Sequence, residues 1–293
     1  MNSKSSNKTN IFLREWLTVV LKSIIFAICA GALTTLVHML CDRYVLHIHG
    51  KPESLSTALT IYSACEKILI SIGYYELGRK IPIKNSILRS MTYIGLNWLS
   101  NFMPQFMGLA FADGAIADQT FRISDLVCDT IVSILLGIIL GVLFRKNPNV
   151  ELRNCDKSTY RKTIAISTIV FPILVLTLDQ LVGFIYPAFS CFSAMQISEQ
   201  AKIPFYINFY SWFLVSGAFI AVFYRLTEYN DNSGWCKFAL KYSLLLWTPV
   251  VMIKVVIGTD LIATTVFSLL FIICIFILCR IINTVMESQS KAI

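Results

Sequence analysis

Residues 124–145 (SDLVCDTIVSILLGIILGVLFR) and residues 259–280 (TDLIATTVFSLLFIICIFILCR) line up without a gap. Asp125 falls on Asp260, Leu126 on Leu261, Thr130 on Thr265, Ser133 on Ser268, Leu135 on Leu270 and Arg145 on Arg280. At a helical rise of about 1.5 Å per residue, each stretch is long enough to cross the hydrocarbon of a bilayer. A chain that writes one membrane-length helix twice reads as a duplicated membrane module, an organisation found mostly in transporter-like scaffolds.

The composition agrees with that reading. Of 293 residues, 56% are hydrophobic and only 14% charged, far from the balance of a soluble globular domain. Apolar runs predict eight spanning helices near 17–40, 57–78, 87–111, 124–144, 163–187, 204–224, 238–258 and 259–280, the last two joined by a tight turn at Gly258. The cations fall in alternate connections. Lys4, Lys8 and Arg14 precede the first span; Arg79, Lys80, Lys84 and Arg89 follow the second; Arg145, Lys146, Arg153, Lys157, Arg161 and Lys162 follow the fourth. Arg225, Lys237 and Lys241 follow the sixth, and Arg280 closes the eighth. The other connections hold only Arg43, Lys51, Arg122 and Lys202, so the positive-inside rule places both termini in the cytoplasm. The net charge of +8 is this bias, and no soluble basic domain calls for a nucleic-acid partner.

The expected fold class is therefore an all-α integral membrane protein. It has a cytoplasmic tail at 1–16, one four-helix repeat at 17–145, a basic cytoplasmic linker at 146–162 and a second repeat at 163–284. The first apolar stretch is too long for a signal-peptide core and reads as a retained anchor. Further matches support the duplication: Lys22-Ser23-Ile24 against Lys162-Thr163-Ile164, Arg79 against Arg225, and Pro104 against Pro249. An even number of spans per repeat gives both copies the same orientation, hence parallel repeats about an axis along the membrane normal. Nine cysteines, none in a CxxC pair, include Cys29, Cys65, Cys128, Cys274 and Cys279 inside apolar spans, where small core residues are expected in place of a disulfide framework.

Several stretches resemble the bacterial L-alanine exporter family. Residues 50–79 (GKPESLSTALTIYSACEKILISIGYYELGR) are similar to that family's first loop and second helix. Ser233-Gly234-Trp235, Thr248-Pro249-Val250 and 255–260 (VVIGTD) are similar to its third helix and exit. Span four, with Gly137, Gly141 and terminal basic residues, resembles its last helix. Family members are four-helix inner-membrane proteins about half this size, so the resemblance implies a tandem fusion. It also implies proton-driven export of L-alanine or a similar small neutral amino acid from a bacterium, with no cofactor.

Polar residues at membrane depth are the candidate site. A charged side chain there costs roughly 2.5–3.5 kcal/mol even on the gentler insertion scale, so each needs a partner or a wet cavity. Glu66 lies mid-span in the second helix with Lys67 beside it, though neighbours in sequence point about 100° apart and need not pair. Asn97, Asn101 and Gln105 recur at four-residue spacing on one face of span three, where amides can hold both ends of an amino acid. The alternative is ordinary interhelical hydrogen bonding, about 0.6 kcal/mol each. Pro104 beside them frees the Ser100 carbonyl. The aligned places of the second copy hold Tyr242, Leu246 and Val250, so the first copy is the better substrate candidate. Toward the outer face lie Asp125, Asp129, Asp179, Lys254 and Asp260, of which Asp125 and Asp260 read as interfacial. Glu66, Asp129 and Asp179 are the proton-coupling candidates.

His38, Cys41, His47 and His49 show no orderly four-ligand spacing, and no metal is expected there. There is no HExxH, no GxSxG and no aspartate-rich pair for magnesium, and Ser190 in 183–190 (GFIYPAFS) has no histidine in a later span, so enzymatic hydrolysis is not expected. The expected partners are a small solute, protons and the bilayer, with self-association left open. Two rival readings are a non-transporting partner of another membrane protein, such as an immunity or regulatory subunit, and a lipid-acting membrane enzyme.

Overall fold

The computed structural model describes residues 3–44, 57–111, 119–145, 157–187, 199–227, 234–247 and 261–290. Among them the chain is all helix, with no strand: α1 (Ser3–Tyr44), α2 (Thr57–Glu76), α3 (Ser86–Phe111), α4 (Gln119–Leu143), α5 (Lys157–Ile185), α6 (Glu199–Thr227), α7 (Gly234–Tyr242) and α8 (Leu261–Ser290). Phe12–Leu40, Ser158–Ile185 and Ser268–Glu287 are long and apolar enough to cross a membrane, and Val127–Leu143 and Tyr210–Leu226 are shorter apolar helices. The protein is therefore membrane-embedded, as its composition requires.

Two boundaries differ from the sequence reading. Residues 3–16, read as a tail, continue α1, because nothing between Ser3 and Trp16 breaks a helix. Arg280 does not close the last helix, which runs on to Ser290 through 281–290 (IINTVMESQS), a stretch without proline or glycine. The turn expected at Gly258 lies outside the described residues.

Helix faces sort by surround. On α1, Val19, Ser23, Phe26, Ala30 and Val37 recur at three-, four- and seven-residue spacing and are buried, while Leu17, Leu21, Ile24 and Ile28 are exposed. On α8 the buried face is Phe271, Cys274, Ile275, Leu278, Cys279 and Ile282. An exposed apolar face that would be a liability in water is the ordinary contact surface with lipid. Cys128, Cys274 and Cys279 are buried core thiols, whereas Cys29 and Cys236 are exposed; all are free.

In the first half α1 packs on α2 and on α4, and α3 packs on α4. In the second half α5 packs on α6 and on α8, and α7 packs on α8. The halves meet where α3 lies on α6, and where α2 meets α7 and the π-helical turn Ser243–Trp247 that continues it. A chain of six ring contacts leads through the package and crosses this seam at Tyr93–Phe223. Phe144 meets Tyr74, which meets Tyr93; Tyr93 meets Phe223; Phe223 meets Tyr242; and Tyr242 meets Phe238, which meets Tyr224, with centroid distances of 5.1–6.0 Å. Most are edge-to-face, the arrangement favoured by the ring quadrupole.

The connection from α2 to α3 is tight. A 3-10 turn (Gly78–Lys80) leads to extended Ile81, and Asn85 caps α3 by accepting from the Ile87 and Leu88 amides at 2.9 and 3.2 Å. Helices α3 and α4 approach closely. A Cβ at Gly137 would stand 2.9 Å from Cα of Met91, and one at Gly141 would stand 2.6 Å from Cα of Ile87. The small-xxx-small spacing of Gly137 and Gly141 is what allows that approach, and Ser90 Oγ uses it to donate to the Gly137 carbonyl. Replacing Gly141 by Leu puts a side chain against backbone that cannot yield. The expected loss is about 1–3 kcal/mol or more, read as a lower thermal midpoint of the purified protein in detergent.

Candidate functional site

Two polar regions lie within the helix package. The first joins α1 to α4. His38 Nε2 is 3.6 Å from Asp129 Oδ1, and the two side chains are 32% and 31% exposed. The pairing follows from the packing of α1 against α4, which sets a histidine from an apolar run (LVHML) opposite an aspartate one turn past Asp125. The contact is an ion pair only when the imidazole is protonated.

Glu66 is half-buried on α2 and forms a 3.0 Å ion pair with Lys67. Helical geometry left this pairing open; the long flexible side chains bridge the angle between the two Cα–Cβ directions. Asp179, on α5, is fully buried and engaged. The three acids thus occupy separate places, Glu66 and Asp129 on different helices of the first half and Asp179 on α5 of the second. Asp129 and Asp179, expected in one outer cluster, sit on helices with no substantial packing contact. The side chains of Asp125, Lys254 and Asp260 lie outside the described residues, as do His47 and His49. Among the described residues no group of three or more metal-ligating side chains occurs.

Of the amide stripe, Asn97 is half-buried and engaged on α3. The helix continues through positions 101, 104 and 105, but the side chains of Asn101 and Gln105 lie outside the described residues.

The second polar region is at the end of the seam that carries the short α2–α3 connection. Arg89 is fully buried, with Nε donating to the Tyr74 hydroxyl at 3.2 Å and a terminal nitrogen donating to the Ile83 carbonyl at 3.0 Å. Glu76 of α2 and Lys241 of α7 form an ion pair across the halves. Lys80 sits beside them, and its pKa is lowered chiefly by burial and further by the Lys241 charge, against a smaller opposing effect of Glu76.

His38 and Arg89 were passed over in the sequence. His38 carried a usable signal, an ionisable residue inside an apolar run. Arg89 carried none, since it lies in a cation-rich connection and reads as one more interfacial charge. No protein-family model, no curated protein and no solved structure matches this chain.

The lowered pKa of Lys80 sets the sign of a pH effect. Between that pKa and the ordinary lysine value the unfolded chain binds more protons, so stability rises with pH through the window. Lys80→Met is expected to raise the thermal midpoint at neutral pH. Its advantage over the wild type should shrink as pH climbs toward the ordinary lysine range, as thermal scans across that range would measure.

Proposed function

We propose that the protein is a proton-coupled transporter of the bacterial inner membrane that exports a small neutral amino acid of the L-alanine kind. The chain crosses the membrane eight times as two parallel four-helix repeats, with both termini cytoplasmic. The repeat reading draws support from the packing order, because the three helix pairs of the first half have counterparts in the second: α1 with α2 and α5 with α6, α1 with α4 and α5 with α8, α3 with α4 and α7 with α8. The meeting of α3 with α6 is likewise answered by that of α2 with α7 and its π-helical turn, as a two-fold between the halves requires.

The observation that carries the proton coupling is the His38–Asp129 pair between two apolar helices. Ionisable groups on membrane helices are kept at a cost, and where they are kept they mark ion and proton routes. A proton taken up from the outer side converts the pair from a lone carboxylate facing a neutral ring to a closed ion pair. That change favours one arrangement of α1 against α4. Solute held at the Asn97, Asn101 and Gln105 face favours the other, and antiport results when the two ligands bias one equilibrium in opposite senses. Glu66, already balanced by Lys67, and the buried Asp179 are secondary candidates for the same role.

The test is L-alanine efflux from vesicles holding the purified protein under an imposed proton gradient. Asp129→Asn is expected to abolish gradient-driven efflux while leaving alanine–alanine exchange. His38→Gln should remove its pH dependence, and the double variant should be no worse than Asp129→Asn alone, since the two act as a unit. Wild-type efflux rates in both single variants would end the reading.

A further inference from the structure

At the end of the bundle that carries the short α2–α3 connection, α1, α2 and α4 part to leave an open cleft of about 550 Å³. Its walls bring Arg14, Lys22, Arg79 and Arg145 together with a single carboxylate, Glu15. Glu15 is occupied: the Tyr75 hydroxyl donates to it at 2.8 Å. Among the described residues no carboxylate forms an ion pair with any of the four cations.

Two of those cations are held in place by the fold. The Arg79 guanidinium lies 3.8 Å from the centre of the Tyr75 ring, and its Nε donates to the Tyr75 carbonyl at 3.2 Å. Lys22 Nζ donates to the Leu143 carbonyl at 2.6 Å, at the negative end of α4, and sits 5.3 Å from the Phe144 ring centre. Arg14 and Arg145 are exposed at the mouth. Four positive charges against the single carboxylate of Glu15 leave an excess of cations around a roomy cleft, and this makes a receptor for a multiply bonded anion.

We propose that this cleft binds a phosphate-bearing anion, and the surroundings favour a phospholipid headgroup over a soluble phosphate. The cleft is also lined by Val19, Val142 and Leu143, and Val142 is exposed. From its mouth the exposed apolar faces of α1 (Leu17, Leu21, Ile24) and of α4 (Ile138, Ile134) run away along the helices, a path suited to acyl chains. Basic pockets between membrane helices at the cytoplasmic surface hold acidic headgroups by this same combination. The proposal does not depend on what the protein transports.

The test is direct binding to the purified full chain in detergent, titrating dioctanoyl phosphatidylglycerol, dioctanoyl phosphatidylcholine and glycerol 3-phosphate. Phosphatidylglycerol is expected to bind saturably and phosphatidylcholine much more weakly. At about fivefold per cation, the double variant Arg14→Gln/Arg145→Gln should weaken phosphatidylglycerol binding about twenty-five-fold. Thr18→Glu sets a carboxylate in the cleft wall and should abolish binding; the hydroxyl it removes bonds only the Arg14 carbonyl of its own helix. Arg161→Gln/Lys162→Gln removes two exposed cations of α5 and should change nothing. Glycerol 3-phosphate binding as tightly as the lipid, and losing affinity in the cleft variants, would keep the anion site and make its ligand soluble. Equal binding of both lipids, equal loss in the α1/α4 and α5 variants, or no binding of any of the three would overturn the proposal.

Discussion

Hydrocarbon offers no partner to a bare backbone N–H or C=O, and this constraint governs everything else in the chain. Each unsatisfied group costs several kcal/mol, so the membrane part of the fold has to close its hydrogen bonds within single helices. The small hydroxyl side chains obey the same rule. Thr18, Ser23, Thr35, Thr92, Thr163, Ser167 and Thr168 each return their proton to the carbonyl four residues earlier. Pro172, inside α5, cannot donate to the carbonyl of Thr168, a break the helix continues through.

With the backbone closed, helix association is left to shape and to a few polar contacts, because lipid is as apolar as the side chains it would replace. The close approach of α3 to α4 uses Gly137 and Gly141 with a serine hydroxyl between the backbones. The seam between the halves uses the Tyr93–Phe223 ring contact and the Glu76–Lys241 pair. Arg89 is enclosed because tyrosine and carbonyl oxygens reach its guanidinium from the α2–α3 connection. Removing one of these partners would leave part of a buried charge uncompensated, which is strongly destabilising. Against the same economy of polar groups stands the His38–Asp129 contact between α1 and α4.

Much of the fold was legible in the sequence and less of the site. Helix existence followed from apolar run length, whereas the cap that Asn85 sets on α3 appeared only in the structure. Helix ends were missed at Ser3 and Ser290, because a polar sequence without breakers continues a helix that a hydropathy window stops counting. Asp129 was legible as a deep carboxylate, but its partner was not, because pairing depends on which helix lies beside α4. The pairing of Lys67 stayed open for a related reason. Helical geometry fixes where a backbone points and leaves a flexible side chain free to fold back onto Glu66.

By itself the sequence determined that this chain must be helical and membrane-embedded. Run length and composition are properties of each segment alone, and the bilayer reads them segment by segment. Only the tertiary structure decided which cations matter. Arg14, Lys22, Arg79 and Arg145 are scattered through the chain as members of one positive-inside set, and packing of α1, α2 and α4 gathers them around one cleft. Arg89, from the same set, was sealed inside instead. Charge falls off over distances in space, and sequence separation does not measure those distances until the helices have packed.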